Sequence, residues 1–438
     1  MLLRLPNVAA RLAAVFLAIS LAATLAYLSI RNARAVFAAS RGTRLGYETA
    51  ARLEPQNADN WYLLGRYWQY TLDEPNAPHA IQNYRHALSL NPGSADTWLD
   101  LATAYESEGD LQNARNAFLQ AKRVYPLSAA VSWRYGNFLL RQDEVPQAFA
   151  EIRRAAYADP KRSAEAFSRC WRVNPDINAI FNAVLPPDRD GYLEVIRELG
   201  TQAQLAAALT VWNRLVSIHP TLKLSDAIQF SELLIQNHQI RDARHVWNDA
   251  LRLSNTPENI DAPGSALWDG GFETGVRGGA FAWVFAAPSG GVQISVDSRQ
   301  KHSGNYSLRL TFDGRHNVNF AGVCNNAEVR PETNYHLSAW VRTQALTTDQ
   351  GVRLLLNSYS DLNSYSDAHL ASSTVTPDVQ GTQPWTHIES PWTSGKDVRY
   401  ARVCVVRYAS GKLDSQIHGT AWIDDVALIP DAPGNRRP

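Results

Sequence analysis

The chain of 438 residues carries 42 Lys plus Arg against 42 Asp plus Glu, so it is formally neutral. That balance argues against a nucleic-acid binder, which needs a basic excess to neutralise phosphates, and the length allows two or three domains, each with its own core. Thirteen Trp and 17 Tyr beside only 3 Cys exclude a disordered chain and a disulfide-dense scaffold alike.

Residues 12–30, LAAVFLAISLAATLAYLSI, are uncharged, with Arg4 and Arg11 before them and Arg31 and Arg34 after. A helix of that length spans ~28 Å, close to the hydrocarbon thickness of a bilayer. Residues 1–34 therefore read as a transmembrane anchor or a signal. The stretch exceeds the about 7–15 apolar residues of a cleavable signal, which favours a retained anchor, although Ala33-Arg34-Ala35 offers a cut site. Arg31, Arg34, Arg41 and Arg44 outnumber Arg4 and Arg11, which by the positive-inside rule would hold the bulk of the chain in the cytoplasm.

A helical repeat follows, spanning residues 35–257 with its lead-in. Trp98-x2-Leu101-Ala102-x2-Tyr105, Ala114-x3-Phe118-x2-Ala121 and Pro126 set its frame. Trp61, Leu64, Gly65, Trp68, Ala80, Tyr84, Ala87 and Pro92 precede it in register; Tyr135, Gly136, Leu139, Ala148, Ile152, Ala155 and Pro160 follow. Large residues facing Ala or Gly let paired helices approach closely, and the closing Pro ends each unit. Residues 163–188 are degenerate, with Cys170 in a small-residue position as a buried thiol. The frame returns at Ala208, Trp212, Leu215 and Pro220, and again at Ala243, Trp247 and Ala250. This pattern resembles the tetratricopeptide repeat. The resemblance implies a stack whose first-helix residues line a concave groove for a protein partner, here Tyr62, Arg66, Gln69, Asp96, Thr103, Glu106, Trp133 and Asn137. A solvated repeat surface is the alternative reading of the same residues.

Residues 258–264 read as a Pro- and Gly-containing linker. Beyond them helical periodicity gives way to alternation, as in Tyr306–Phe312, Tyr335–Arg342 and Ala401–Tyr408, which predicts an antiparallel sandwich over 265–431 and a short tail at 432–438. Trp268-Asp-Gly-Gly-Phe-Glu273, Trp283, His302-Ser-Gly-Asn-Tyr-Ser-Leu308, Val329-x-Pro331-x3-Tyr335-x-Leu337-x2-Trp340-Val-Arg342 and Ala421-Trp-Ile-Asp-Asp-Val426 occur in order. The series resembles the jelly-roll carbohydrate-binding modules of the cellulose- and xylan-binding type. The expected architecture is thus multidomain, α then β: a transmembrane helix, a tetratricopeptide-like α-solenoid and a jelly-roll β-sandwich.

That second resemblance implies a polysaccharide ligand and a structural calcium ion held by Glu273, Asp424 and Asp425; turn amides are the alternative partners of these carboxylates. Asp424 and Asp425 are consecutive on a strand, so their side chains should face opposite ways, which suits no acid/base pair for glycoside hydrolysis. Sugar-reading candidates are Tyr359, Tyr365, Trp392 and Tyr408, supported by Arg353, Asn357 and Arg407; a solvated loop is the competing account of Asn357–Asp367. Trp283, Trp340, Trp385 and Trp422 lie in apolar alternation and read as core. Cys324 and Cys404 fall in strand-like runs and would form one disulfide if the region is exported and the two strands are neighbours, which the sequence does not show.

Phosphate loops, His-Glu-x-x-His, Gly-x-Ser-x-Gly and clustered Cys/His patterns do not occur, and the paired His238 and His245 have no third zinc ligand. The expectation is a non-catalytic, membrane-anchored protein of the cell envelope, with most of the chain on the periplasmic or extracytoplasmic side, because the signal-like start and a C-terminal domain of a kind usually found outside the cell outweigh the arginine count. It would serve exopolysaccharide assembly or export. A pure protein scaffold and an accessory subunit of a polysaccharide-processing complex are the alternatives.

Overall fold

The computed structural model describes residues 8–73, 75–254, 256, 262–275, 277–287, 290–359 and 370–431. Two compact units result, Met1–Gly191 and Tyr192–Pro438. The first contains α1 (Val8–Ala39), α2 (Arg44–Leu53), α3 (Ala58–Tyr70), α4 (Ala77–Leu90), α5 (Ala95–Ser107), α6 (Leu111–Val124), α7 (Ala129–Arg141), α8 (Val145–Ala158), α9 (Ser163–Val173) and α10 (Ile177–Ala183). Helix α1 is long and apolar enough over Arg11–Ala39 to cross a membrane. Its last turns pack on the next helix, with Ala35 and Ala38 against Ala50 of α2.

Local chemistry sets the helix ends. Asn57, Asn76, Ser94, Asp110 and Ser128 each accept a backbone N–H of the first turn of the following helix, satisfying donors that have no intrahelical partner. The turns inside the repeats need a left-handed residue. Gly109 supplies it at φ 76°, while Asp143 and His238, at φ 60° each, take the same role without glycine's freedom. Gly65 and Gly136 have another purpose. A Cβ at Gly65 would lie 2.7 Å from the Tyr84 ring, and one at Gly136 would lie 2.8 Å from Ile152 Cγ1. Close helix approach fixes both. Cys170 is fully buried, and burial pushes its thiol up to about 12.

The second unit begins with α11 (Arg189–Thr201), which crosses the boundary, then α12 (Leu205–Ser217), α13 (Leu224–Gln236) and α14 (Ile240–Leu253). Two five-stranded antiparallel sheets follow. One has the order β1 (Val284–Phe285), β4 (Phe320–Glu328), β9 (Tyr400–Arg407), β6 (Arg353–Tyr359), β7 (Leu370–Val375). The other has the order β2 (Val292–Asp297), β3 (Ser307–Asp313), β10 (His418–Pro430), β5 (Asn334–Leu346), β8 (Gly381–Thr393). Leu337, Ala339 and Val341 of β5, Ala421 and Ile423 of β10, and Ala401, Val403 and Val405 of β9 face inward and share one core with Trp283. Cys324 and Cys404 are direct cross-strand partners on β4 and β9 and are joined by a disulfide.

The compact division falls at residue 191, well before the compositional linker, because α13 and α14 pack on the sandwich. Trp247 of α14 is fully buried, with its ring 5.2 Å from Trp268 and 6.1 Å from Phe281. The Arg244 guanidinium lies over Phe281, and Glu232 of α13 accepts from Ala280 N at 3.3 Å. Linker residues 258–261 lie outside the described residues.

Two measurements check these contacts. Trp247→Ala should lower stability by about 3–5 kcal/mol, the usual cost of emptying a large aromatic site, in urea denaturation followed by circular dichroism. Cys404→Ser should cost roughly 2–4 kcal/mol, and dithiothreitol should destabilise the wild type but not that variant.

Candidate functional site

On the first-helix side of the repeats, α3, α5 and α7 bring three of the eight expected groove residues, Tyr62, Arg66 and Thr103, into one polar network. Its hub is Asp100, 5 % exposed, which sequence reasoning passed over. Asp100 Oδ2 accepts from Tyr62 Oη at 3.1 Å, and Oδ1 accepts from both terminal nitrogens of Arg134 at 2.9 Å. Arg134 also donates to Thr103 Oγ1 at 2.7 Å, and Arg66 stands 3.7 Å from Asp100 and over the Tyr62 ring. Glu106 takes a bidentate pair from Arg141 at 2.7 and 2.8 Å. Burial beside Asp100 pushes the Tyr62 phenol up to about 12, so it stays a donor. Gln69 accepts from Tyr84 and is committed to the repeat interior, whereas Asn137 donates to Trp133 O, the Arg162 guanidinium covers Trp133, and Asp96 is exposed in the first turn of α5. The signal that could have found the hub is spacing: Asp100 lies one turn after Asp96, and Arg134 and Arg141 lie seven residues apart, each pair on one helix face. A second groove, of about 470 Å³, runs between α11 and α13, lined by buried Ile196 and Phe230 and by exposed Glu194 and Arg197.

In the sandwich the described members of the expected sugar-reading set, Arg353, Asn357, Trp392, Arg407 and Tyr408, take different places. Trp392 is 5 % exposed and belongs to the core, its ring 5.6 Å from Tyr335 and its Nε1 donating to Ser372 Oγ at 3.1 Å. Its place is set by pairing, since Tyr335 and Trp392 are register partners on β5 and β8. Arg407 is likewise interior. It is fully buried at the end of β9, donating to Gln350 O, Asn317 Oδ1, Val318 O and Thr348 Oγ1. It therefore ties loops together and reads no ligand. Tyr408 remains at the surface with Arg353 over its ring at 5.0 Å, and Arg353 is itself held by Asp378 at 3.2 Å. Asn357 is half-buried on β6. Tyr365, and the side chain of Tyr359, lie outside the described residues.

The tryptophans expected in the core divide. Trp283 is fully buried and Trp422, although on the outward side of β10, is only 7 % exposed, whereas Trp340, outward on β5, and Trp385 are half-buried. Alternation alone does not say which face of a strand is the core face.

Comparison with known proteins bears directly on both halves. A tetratricopeptide-repeat family model matches residues 76–123 and 99–163, and a carbohydrate-binding-domain model matches residues 264–407. The chain carries tetratricopeptide repeats and a carbohydrate-binding domain. No curated protein matches the chain. Among solved structures, the enzymatically active domain of bacteriophage CBA120 tailspike protein 4 is 11 % identical, covering 38 % of this chain and 21 % of that one, with a TM-score of 0.27. The tetratricopeptide-repeat protein YrrB is 12 % identical over 50 % of this chain and 96 % of its own, with a TM-score of 0.26. The CBM22-1–GH10 modules of Clostridium thermocellum xylanase 10B are 13 % identical over 32 % of this chain and 25 % of that one, with a TM-score of 0.24.

In the carbohydrate-binding domain, the three acidic residues expected to hold calcium instead hold a strap of chain. Glu273 Oε1 accepts from the backbone N–H groups of Asn305 and Tyr306, at 2.7 and 3.1 Å, and Oε2 from Asn305 Nδ2 at 3.2 Å. Asp424 accepts from the N–H groups of His302, Ser303 and Asp425, and Asp425 contacts His302 Nδ1 and Ser303 Oγ at 2.7 Å each. Both aspartates thus reach the same strap, contrary to simple alternation. A bulge between Asp424 and Ala427 and a φ of 49° at Asp425 turn the second carboxylate to the side of the first. These residues do not fit a calcium ion as placed: their oxygens face hydrogen donors, and among the described residues no three His, Cys, Asp or Glu cluster to hold a metal.

Burial disfavours the charged form of Asp424 and raises it from the usual 3.8 to about 6, with Asp425 adding repulsion. Folding therefore takes up a proton between these values, so the stability from this group is full below pH 4 and is lost as pH rises through 6. Asp424→Asn should consequently gain stability relative to the wild type between pH 4 and pH 7 in urea titrations. A constant difference across that range would contradict the assignment.

Proposed function

We propose that this is a membrane-anchored binding protein without catalytic activity of its own. The repeats recruit a protein partner through the Asp100-centred face, and the sandwich holds a polysaccharide. Assembly or export of cell-envelope exopolysaccharide is the process that joins these parts most economically. The observation that carries the reading is the pairing, in one chain, of a match to protein-binding repeats over 76–163 with a match to a carbohydrate-binding domain over 264–407. The disulfide between Cys324 and Cys404 supports a periplasmic or extracytoplasmic position for the sandwich, since such bonds persist in oxidising compartments. Arginine contacts on the concave face suit a partner that presents carboxylates, with Arg66 half-exposed beside Tyr62.

A second reading, a protein scaffold whose sandwich no longer takes sugar, draws support from the burial of one sheet under the last repeat. Two measurements separate the readings. In cells with a permeabilised outer barrier, added protease should digest the sandwich of the anchored chain, and full protection would place it in the cytoplasm. The full-length protein in detergent should be slowed in native gels containing hydroxyethylcellulose, xylan or alginate. Unchanged mobility in all three would leave the scaffold.

A further inference from the structure

The first helices of the chain decide which edge of the repeat stack faces the apolar stretch of α1. Ala35 and Ala38 of α1 pack on Ala50 of α2, and Gly46 lies against the Ala38 carbonyl. Helix α2 therefore runs back along α1, and the same antiparallel register brings Leu53 level with Arg31, where the apolar stretch ends. Asn60 of α3 donates to Ala50 O at 3.2 Å, so α3 starts at that level and runs away from it. Gly65 against the Tyr84 ring, and the Trp68 ring 4.9 Å from His79, set α4 antiparallel to α3. Arg134 reaching Asp100 and Arg141 reaching Glu106 set α7 parallel to α5. The turns at 54–57, 91–94 and 125–128 consequently share one edge of the stack, the edge from which α1 enters its apolar stretch. Helix α1 is unbroken from that stretch to Ala39, so no linker separates the two.

Charge and exposure distinguish this edge from the opposite one. Arg34, Arg52 and Arg123 are exposed on it, and Arg31 is half-exposed. The turn after α6 adds Tyr125, 60 % exposed, and Leu127, 85 % exposed, beside Arg123. Acids on the same edge are largely answered locally. Glu54 accepts from Asn57 Nδ2 at 3.3 Å, and Asp59 and Asp96 lie in the first turns of α3 and α5, where the helix N-terminus offsets their charge. On the opposite edge, the turns after α3, α5 and α7 expose Asp73, Glu108 and Asp143. The arginines of the α1–α2 turn, Arg41 and Arg44, are there folded over the Phe37 and Trp68 rings.

We infer, resting on the membrane-anchored reading above, that this edge of the repeats is a lipid-binding surface. Arg31, Arg34, Arg52 and Arg123 meet the anionic phospholipid headgroups of the bilayer that α1 crosses, and Tyr125 and Leu127 enter its interfacial layer. Guanidinium groups pair with phosphate oxygens, tyrosine is at home at the membrane–water boundary, and basic side chains near an anionic leaflet gain from its surface potential. The exposed carboxylates of the opposite edge disfavour the inverted contact. The helical stack then lies along the membrane instead of hanging from α1 alone, with its first-helix groove held sideways to the bilayer.

The test labels full-length Leu127→Cys and Tyr125→Cys with an environment-sensitive fluorophore before reconstitution. Cys170 is fully buried and Cys324 and Cys404 are disulfide-bonded, so the introduced thiol takes the label. Leu72→Cys is the control, because Leu72 is 98 % exposed on the opposite edge beside Asp73. Vesicles are made of phosphatidylcholine alone or with phosphatidylglycerol in equal parts, each with and without bromine-bearing lipid as quencher. In the phosphatidylglycerol vesicles the labels at 127 and 125 are expected to shift to the blue and to be quenched, and the label at 72 to stay aqueous. Adding Arg123→Gln should weaken the contact about fivefold, the worth of one basic residue at an anionic surface. Labels at 127 and 125 that stay aqueous, in protein that resists extraction by alkaline carbonate, overturn the lipid contact and leave the anchor standing. Protein that carbonate extracts removes the anchor and the contact together. Equal quenching in phosphatidylcholine alone, or equal quenching at 72, overturns the anionic surface assigned to this edge.

Discussion

Burial of Trp247 against Trp268 and Phe281 is the contact on which the organisation of the C-terminal half depends. The last helical hairpin has no following repeat to cover its apolar face, and an uncapped solenoid end would leave that face in water. Here the outer surface of a β-sheet takes the place of a capping helix. The same contact that completes the helical core also withdraws part of a sheet from solvent.

The two surfaces left open differ in chemistry. On the repeats, a buried carboxylate at Asp100 organises Tyr62, Arg66 and Arg134 into a network whose exposed guanidinium edges favour anionic groups. On the sandwich, the His302 imidazole lies parallel on Trp340 and edge-on to Trp385. The carboxylates at Glu273, Asp424 and Asp425 are engaged in pinning a strap of chain to the sandwich edge.

Much of the fold was legible because it is written as a period. Large residues recurring against Ala and Gly, with Pro at the close, announced the hairpins, and alternation after the linker announced strands. Small irregularities escaped that reasoning. The bulge that brings Asp424 and Asp425 to one side depends on a single left-handed residue. Arg407 looks like a ligand reader in a list of residue types, yet loop carbonyls that converge only in the folded sandwich bury it. Asp100 was within reach, since its spacing from Asp96 marks the groove face, but its role as hub needs Arg134 from the next repeat.

By itself the sequence determined the helix pairs, their capping, the membrane-length apolar segment and the change from helix to strand, because each follows from interactions among residues close along the chain. Tertiary structure alone decided which side of each strand met the core and which tryptophans stayed outside. Period-two alternation is symmetric with respect to the two faces of a strand, and only contact between distant segments breaks that symmetry.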